Sequence, residues 1–521
     1  MVEQLTPARK IALHTQLAEF FEANDSDPIK IATHYDNANL PQRALAPALK
    51  AAARAYEASS FSTALRMYRI AWNGISPDNR KRRSQVAEQI GSVLMLAGKY
   101  ADSDRWFARA EANTDSELYR SRVVMQRSEL AFKRGDKRLA VKMLEDEMKL
   151  LNISIPKSWL MIQVCVIREL IVQFSHSVFP SVFLHRKKEA RKRDRMIWKM
   201  YSRLAHCYWY TKSKSTVLWA HLAGLNRAET GPPSRELAQA WSEHAPVMGL
   251  IPWYTRGAEY SARSLKVRRD LNDHWGEGQS RNYFSILLYA TSRYENCIAQ
   301  AKKAEKILMR TGDYWELNIA RYQWAASLYR QGNLKEAYEL ALKTRRDAIK
   351  IGDHQSSGNI IDLIARASLG KIPYEYIETE KDRDLDDLQL QPQLLLSEGV
   401  YHLNNDADPS AAISCFERAL HIVKKTGVSN CYTSANAPWL ATALRERIEY
   451  ERETKTVTAS SFERHFQAAK RAVRIAKRFQ NDLPHALREM GYAWANRNDQ
   501  KRSRECLLRS LKLAQAQNAR Y

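Results

Sequence analysis

The stretch that decides the fold runs from Tyr314 to Asp353, YWELNIARYQWAASLYRQGNLKEAYELALKTRRDAIKIGD. Leu317, Ala320, Trp324, Ala325 and Leu328 recur at three-four spacing, which puts them on one face of a helix. Gln331-Gly332-Asn333 breaks that run. Leu334, Ala337, Tyr338, Ala341 and Leu342 open a second amphipathic run. It is predicted to end at Gly352, because glycine enters a left-handed turn without steric penalty. Two such runs joined by a short break predict an antiparallel helical hairpin. One hairpin cannot bury its own apolar face, so further copies are expected along the chain.

The order small-x-x-Leu, Gly, Leu-x-x-Ala, Ala resembles a tetratricopeptide unit. Ala325, Ala337 and Ala341 let two helices approach closely, while Trp324, Leu328 and Tyr338 fill the space between hairpins. Gly91, Leu94, Gly98, Tyr100, Ser103, Phe107 and Ala110 fall at equivalent spacing, as do Ala131, Gly135, Ala140 and Leu144. The small residues Ala64, Ser103 and Ala140 stand 39 and 37 apart, and Cys297 and Ala337 stand 40 apart. That period exceeds the usual 34 by about one helical turn. The expected fold is therefore all-α: a right-handed superhelix, an α-solenoid, of about ten tetratricopeptide-like hairpins.

Working outward, residues 1–40 hold two predicted helices, Pro7 to Phe21 and Pro28 to Asp36, within the span from Leu5 to Asn37. Each has Pro in its first turn. Hairpins fill 41–150, an apolar then basic insertion 151–195, further hairpins 196–370, an acidic connector 371–390, and final hairpins 391–521. The insertion contains SWLMIQVCVIRELIVQFSHSVFPSVFL, Ser158 to Leu184, the most apolar run in the chain. Arg168, Glu169 and Pro180 interrupt it too early for a membrane span of about 20 apolar residues. It is expected to pack as a capping helix pair, with peripheral membrane contact through 158–199 as the alternative. In the connector, Glu378 to Asp387 is expected to be an exposed loop or short helix.

Lys plus Arg number 82 against 58 Asp plus Glu, a formal charge of +24. Such an excess favours acidic partner proteins, anionic lipid or nucleic acid. A quarter of it sits in HRKKEARKRDRMIWK, His185 to Lys199, where Arg186, Lys187, Lys188, Arg191, Lys192, Arg193 and Arg195 form a basic patch. A solvated helix face is the expected role of this run. The six cysteines are scattered with no CxxC pair, which fits free thiols in a reducing cytoplasm.

Chemical motifs point away from catalysis. Gly98-Lys99 is followed by Tyr100 and Gly370-Lys371 by Ile372, so neither supplies the phosphate cradle and Mg²⁺ hydroxyl of a P-loop. There is no HExxH and no GxSxG. His34, His244 and His402 each lie near a carboxylate in sequence, and structural roles are expected for them. No enzyme activity, cofactor or metal is expected.

Three further segments resemble a narrower group. Asn226 to Ala238, NRAETGPPSRELA, is similar to the NLAE-x-x-GPS-x-ELA segment in the repeat region of large bacterial signalling ATPases of the STAND/AAA type. Gly312-Asp313-Tyr314-Trp315-Glu316 and Gly352-Asp353-His354-Gln355 resemble the hairpin ends of that region. The helices of 1–40 resemble its ATPase-to-repeat junction. In that group a kinase or cyclase module often comes first, and a histidine kinase can follow; this chain shows no such catalytic motif.

The resemblance implies a cytoplasmic, non-catalytic scaffold or sensor arm in bacterial signal transduction. Its first helices would line a concave groove for peptides or helical segments. Tetratricopeptide groove positions fall on Asn282, Tyr289, Tyr322, Tyr329, Arg330, Arg488 and Tyr492, rich in the Tyr and Arg that anchor interfaces. Protein partners are expected, with acidic segments or as a separate ATPase or kinase subunit. An effector-sensing subunit of such an ATPase and a nucleic-acid-associated repeat protein are the alternatives.

Overall fold

The structure, a computed structural model, describes residues 6–58, 60–250, 253–383 and 387–520. Leu5 at the start of the first helical segment, residue 59 of the first hairpin, residues 384–386 of the acidic connector and the terminal Tyr521 lie outside the described residues. Among the described residues all regular secondary structure is helical. The chain divides into two compact units. Unit 1 comprises 1–134, 142–151 and 310–313, and unit 2 comprises 135–141, 152–309 and 314–521.

Unit 1 contains α1 (Pro7–Ala23), α2 (Pro28–Asn37), α3 (Pro41–Glu57), α4 (Phe61–Asn73), α5 (Arg80–Leu96), α6 (Tyr100–Ala112) and α7 (Glu117–Lys133), with most of α8 (Lys137–Leu150). Pro7, Pro28 and Pro41 start their helices at positions that need no N–H donor. The Thr6 and Asp27 side chains cap the first two by accepting from Arg9 N and Ile29 N. Consecutive helices from α1 to α7 pack on one another. Their core is dominated by small side chains, Ala44, Ala48, Ala52, Ala64 and Ala71, which brings helix axes close.

In unit 2, α9 (Trp159–Val178) and α10 (Pro180–Phe183) precede the pairs α11 (Lys192–Thr211) with α12 (Lys214–Glu229) and α13 (Arg235–Leu250) with α14 (Tyr254–Asp270). Next come α15 (His274–Ala290), α16 (Tyr294–Thr311), α17 (Tyr314–Arg330) and α18 (Leu334–Ile351). The next helix is interrupted at Ile360, giving α19 (His354–Asn359) and α20 (Ile361–Ala367). Then follow α21 (Glu375–Lys381), α22 (Leu390–Asn404), α23 (Pro409–Thr426), α24 (Asn436–Glu453), α25 (Ala459–Ala476), α26 (Leu483–Ala495) and α27 (Gln500–Ala516). Helices α11, α13, α15 and α17 pack on one another in succession and form an inner layer.

The hairpin of α17 and α18 ends as its residues dictate. Gly352 has φ of 71° and its N–H bonds back to the last turn of α18, while Asp353 caps α19 by accepting from Ser356 N at 3.0 Å. A Gly-Asp pair thus closes one helix and starts the next. The periodic small residues Ala64, Ser103, Ala140, Cys297 and Ala337 are all fully buried. Ser103 donates to the Gly91 carbonyl and Cys297 to the Ser285 carbonyl. Both acceptors lie twelve residues upstream, so the two hairpins repeat one close contact. At Gly91 the opposing Phe107 ring stands where a Cβ would be, 2.7 Å away.

One expectation is met in an unforeseen orientation, and one needs correction. Helix α9 does pack, on α12, with Val166 buried and Leu170 against the apolar cluster there, but most of its apolar side stays outside. Glu169, Gln173 and His176 are 4, 5 and 3% exposed, whereas Trp159, Ile171 and Phe174 are 72, 62 and 67% exposed. The acidic connector is not simply solvated either. Glu380 is buried between Arg345 and Arg383. Asp387 is buried against Lys137 Nζ at 2.6 Å and accepts from Gln389 N and Leu390 N.

Candidate functional site

The inner layer of unit 2 encloses a cavity of about 130 Å³. Its walls include His206 and Trp209 of α11, Glu243 of α13, Tyr283 of α15, Asn318 and Tyr322 of α17, and Gln355 and Asn359 of α19. Asn318 with Tyr322, and Gln355 with Asn359, share the i, i+4 spacing that puts two side chains on one helix face. Tyr432 closes one side, stacked on Tyr289 at 5.7 Å and 6° and edge-on to Tyr322 at 5.5 Å.

Hydrogen bonds fix these walls. Tyr432 OH donates to Gln323 Oε1 at 3.0 Å, Gln393 Nε2 donates to Tyr322 OH at 2.9 Å, and Tyr322 OH donates to Asp362 at 3.2 Å. Asn318 Nδ2 reaches Asp353 Oδ2 at 3.2 Å, the same carboxylate that caps α19. Three groups are left over. Asn318 Oδ1, Gln355 Oε1 and Asn359 Oδ1 are buried acceptors with no protein partner, and such atoms are rare enough to need a reason.

The charge state of the cavity follows from burial. Burial pushes the Glu243 carboxyl above its ordinary range, against the opposing effect of hydrogen bonds from Gln239 and Ser202. Burial also pulls His221 down to about 3 and holds His244 well below its usual value. Their geometry agrees with two neutral rings. Arg256 Nε donates to His244 Nε2 at 3.1 Å, which leaves His244 Nδ1 to donate to His221 Nε2 at 2.8 Å. Among the described residues no Lys or Arg lines the cavity. It offers amide acceptors and aromatic walls to a group that carries N–H or O–H donors on an apolar body.

Of the residues expected to face a groove, only Tyr322 lines this cavity. Asn282, Tyr289, Tyr329 and Arg330 are buried and engaged by the chain itself. Asn282 Nδ2 donates to Glu316 Oε2 at 2.8 Å, and the Arg366 guanidinium lies over the Tyr329 ring at 4.8 Å. Arg330 pairs with Asp482 at 2.5 Å and donates to the Asn481 carbonyl. Arg488 and Tyr492 are exposed on α26, away from the lining. On α15 the lining residues are Tyr283 and Ile286, beside the expected Asn282 and Tyr289, and on α17 the lining ends at Gln323, short of Tyr329 and Arg330. A search for polar i, i+4 pairs early in each first helix would have found Asn318 and Gln355.

The basic patch is exposed at Arg186, Lys187, Lys188, Arg191, Lys192, Arg193 and Arg195. Only its last part is helical, since α11 begins at Lys192. Lys187 pairs with Asp194 at 3.5 Å. Of the three histidines expected beside carboxylates, His402 meets Asp406 at 2.7 Å, whereas His34 faces His14 and His244 faces His221. Glu398, His402 and Cys415 bring ligand atoms within 4.8 Å of one another, a grouping that sequence spacing does not reveal. The Glu398 carboxylate is already held by Lys381 and Tyr374. Burial pushes the Cys415 thiol up to about 12, so it is protonated and a poor metal ligand.

The fold and site define an all-α helical-repeat protein with a small internal recess. No protein-family profile matches the chain, and no curated protein matches it. Among solved structures it is similar to a chain of the APC/C hetero-tetramer Cut9-Hcn1, at 11% identity over 98% of this chain and 95% of that one, with a TM-score of 0.40. It is similar to aspartyl phosphate phosphatase F from Bacillus subtilis at 11% identity, 85% and 96% coverage and a TM-score of 0.35. It is also similar to a Rap protein complexed with competence and sporulation factor, at 10% identity, 92% and 100% coverage and a TM-score of 0.34. These likenesses are too distant to assign a function. Among the described residues, no helix is long and apolar enough to cross a membrane.

Proposed function

We propose that this chain is a non-catalytic protein-interaction scaffold whose unit 2 seats an extended segment of a partner along its inner helices. One partner side chain, with an N–H or O–H donor on an apolar body, enters the cavity. The observation that carries this reading is the set of three buried, unpartnered oxygens in the lining, Asn318 Oδ1, Gln355 Oε1 and Asn359 Oδ1. A donor that meets them recovers the desolvation already incurred on folding, which makes the recess selective for a polar group over an apolar one. Walls fixed by Gln323, Gln393 and Asp362 lose little entropy on binding. The resemblance of Asn226 to Ala238 to the repeat region of signalling ATPases supports a place in a bacterial cytoplasmic signalling assembly, with chemistry supplied by a separate ATPase or kinase subunit. The surplus of positive charge favours acidic residues flanking the inserted side chain.

Selection of a displayed random peptide library on the purified chain, followed by calorimetry of the enriched peptides, tests this. The expected result is enrichment of one motif whose affinity falls about tenfold in Asn318→Leu or Gln355→Met, the effect of about 1.4 kcal/mol from one lost hydrogen bond. No enriched motif, or binding indifferent to both substitutions, would overturn the assignment.

A further inference from the structure

Helix α9 is built inside out. Its polar side is locked into unit 2 by a closed set of hydrogen bonds. Gln173 Nε2 donates to Asn226 Oδ1 at 2.7 Å and to Glu229 Oε2 at 2.9 Å, and His176 Nδ1 lies 2.8 Å from the same carboxylate oxygen. Asn226 Nδ2 donates back to Glu169 Oε2 at 2.8 Å, and Trp241 Nε1 holds the other Glu229 oxygen at 3.0 Å. These bonds fix the rotation of α9 about its axis, so its apolar side cannot turn inward.

That apolar side is a continuous exposed strip. Leu160, Val164, Ile167, Ile171, Phe174 and Val178 repeat at four-three spacing, and Phe179 and Val182 extend the strip past Pro180. Alternating four-three spacing also suits a pairing helix, which ordinarily carries complementary charges beside its seam. Beside this seam stand Met161, Gln163, Leu170, Val172, Ser175 and Ser177, with Arg168 the one exposed charge. It lacks the charges that select a partner helix. The basic run follows directly, with Arg186 over the Phe183 ring at 5.6 Å. Arg186 and Lys187 line the same surface cleft as Met161, Cys165 and Val172 of α9.

We infer that the α9–α10 strip, together with the exposed cations from Arg186 to Arg195, docks this chain on an anionic lipid surface. The apolar strip enters the interface while the cations meet headgroup phosphates and carboxylates. An apolar face and a basic cluster are the two signals that make peripheral attachment stable, since either one alone is marginal. None of the residues involved lines the cavity of unit 2, so the inference stands apart from the proposed peptide site.

Flotation of the full chain with vesicles of phosphatidylcholine containing phosphatidylserine, and with phosphatidylcholine alone, tests it. The chain is expected to float with the anionic vesicles only. Ile171→Asp with Phe174→Asp should abolish flotation, and Lys188→Glu, Arg191→Glu and Lys192→Glu together should weaken it more than about tenfold. All five positions are exposed, and an unchanged circular-dichroism melting profile would show that the variants fold. High salt should release the wild-type chain. Equal binding to both vesicle types, or binding untouched by either variant, overturns the inference. So does failure to float combined with self-association that Ile171→Asp abolishes, which would assign the strip to a second copy of this chain.

Discussion

Helix α9 and the α17–α18 hairpin are both amphipathic, yet they face unit 2 in opposite senses. The hairpin turns Ala325, Leu328, Ala337 and Ala341 into the core. Helix α9 turns Glu169, Gln173 and His176 inward and leaves Ile167, Ile171 and Phe174 outside. The hairpin is held by burial of apolar surface, which is non-directional and tolerant of small shifts. Helix α9 is held by directional bonds to Asn226 and Glu229, which fix one rotation and leave the apolar side accessible. Amphipathicity thus shows where a helix is apolar, and the neighbours decide which side is covered.

The largest expected effect breaks the hairpin side of this contrast. Arg330 ends α17 and is buried against Asp482. Arg330→Ala strands that carboxylate, with an expected loss of about 3 to 5 kcal/mol, read as a lowered urea midpoint. A groove residue could be removed without such a loss, so the measurement separates the buried role of Arg330 from the groove role expected of it. On the α9 side, Glu229→Ala leaves His176 and Trp241 without their acceptor and Gln173 with Asn226 alone. It should cost about 3 kcal/mol of stability, read as a lowered urea midpoint, and loosen α9, read as faster amide exchange in residues 159–178 but not in 314–330.

A smaller effect sharpens the contrast through pH. His221 and His244 stay neutral in the fold because burial depresses both. Below about 6.5 the unfolded chain binds protons at these rings and the folded chain does not. Stability should therefore be intact above pH 6.5 and fall as the pH drops toward 3. At pH 5 the loss is about 2 kcal/mol for an imidazole as strongly depressed as His221. The difference between melting temperatures at pH 7 and pH 5 measures it, and His221→Gln should reduce that difference.

Much of the hairpin was legible in the sequence. Gly352 sits where the apolar period stops, and the small residues at Ala64, Ser103, Cys297 and Ala337 mark the close contacts by their spacing. Those signals are local, so a one-dimensional pattern carries them. The orientation of α9 was not legible, because the polar groups that seat it lie more than fifty positions away, at Asn226 and Glu229. The cavity was hidden for a similar reason. Asn318 and Gln355 become neighbours only when α17 and α19 are stacked, and the register carried over from shorter repeats pointed to Tyr329 and Arg330, which these longer helices bury. Glu380 and Asp387 read as solvated because the partners that bury them, Arg345 and Lys137, lie far away in sequence.

The most direct measurement is thiol accessibility along α9 in the native chain. A single cysteine is placed at Ile171, Phe174, Val166 or Gln173, and its maleimide labelling rate is compared with that of the unsubstituted protein. The account predicts fast added labelling at 171 and 174, with none at 166 and 173 until denaturant is present. Fast labelling at 166 and 173 with protection at 171 and 174 would contradict it, and would return α9 to the ordinary apolar-side-in packing of the hairpin.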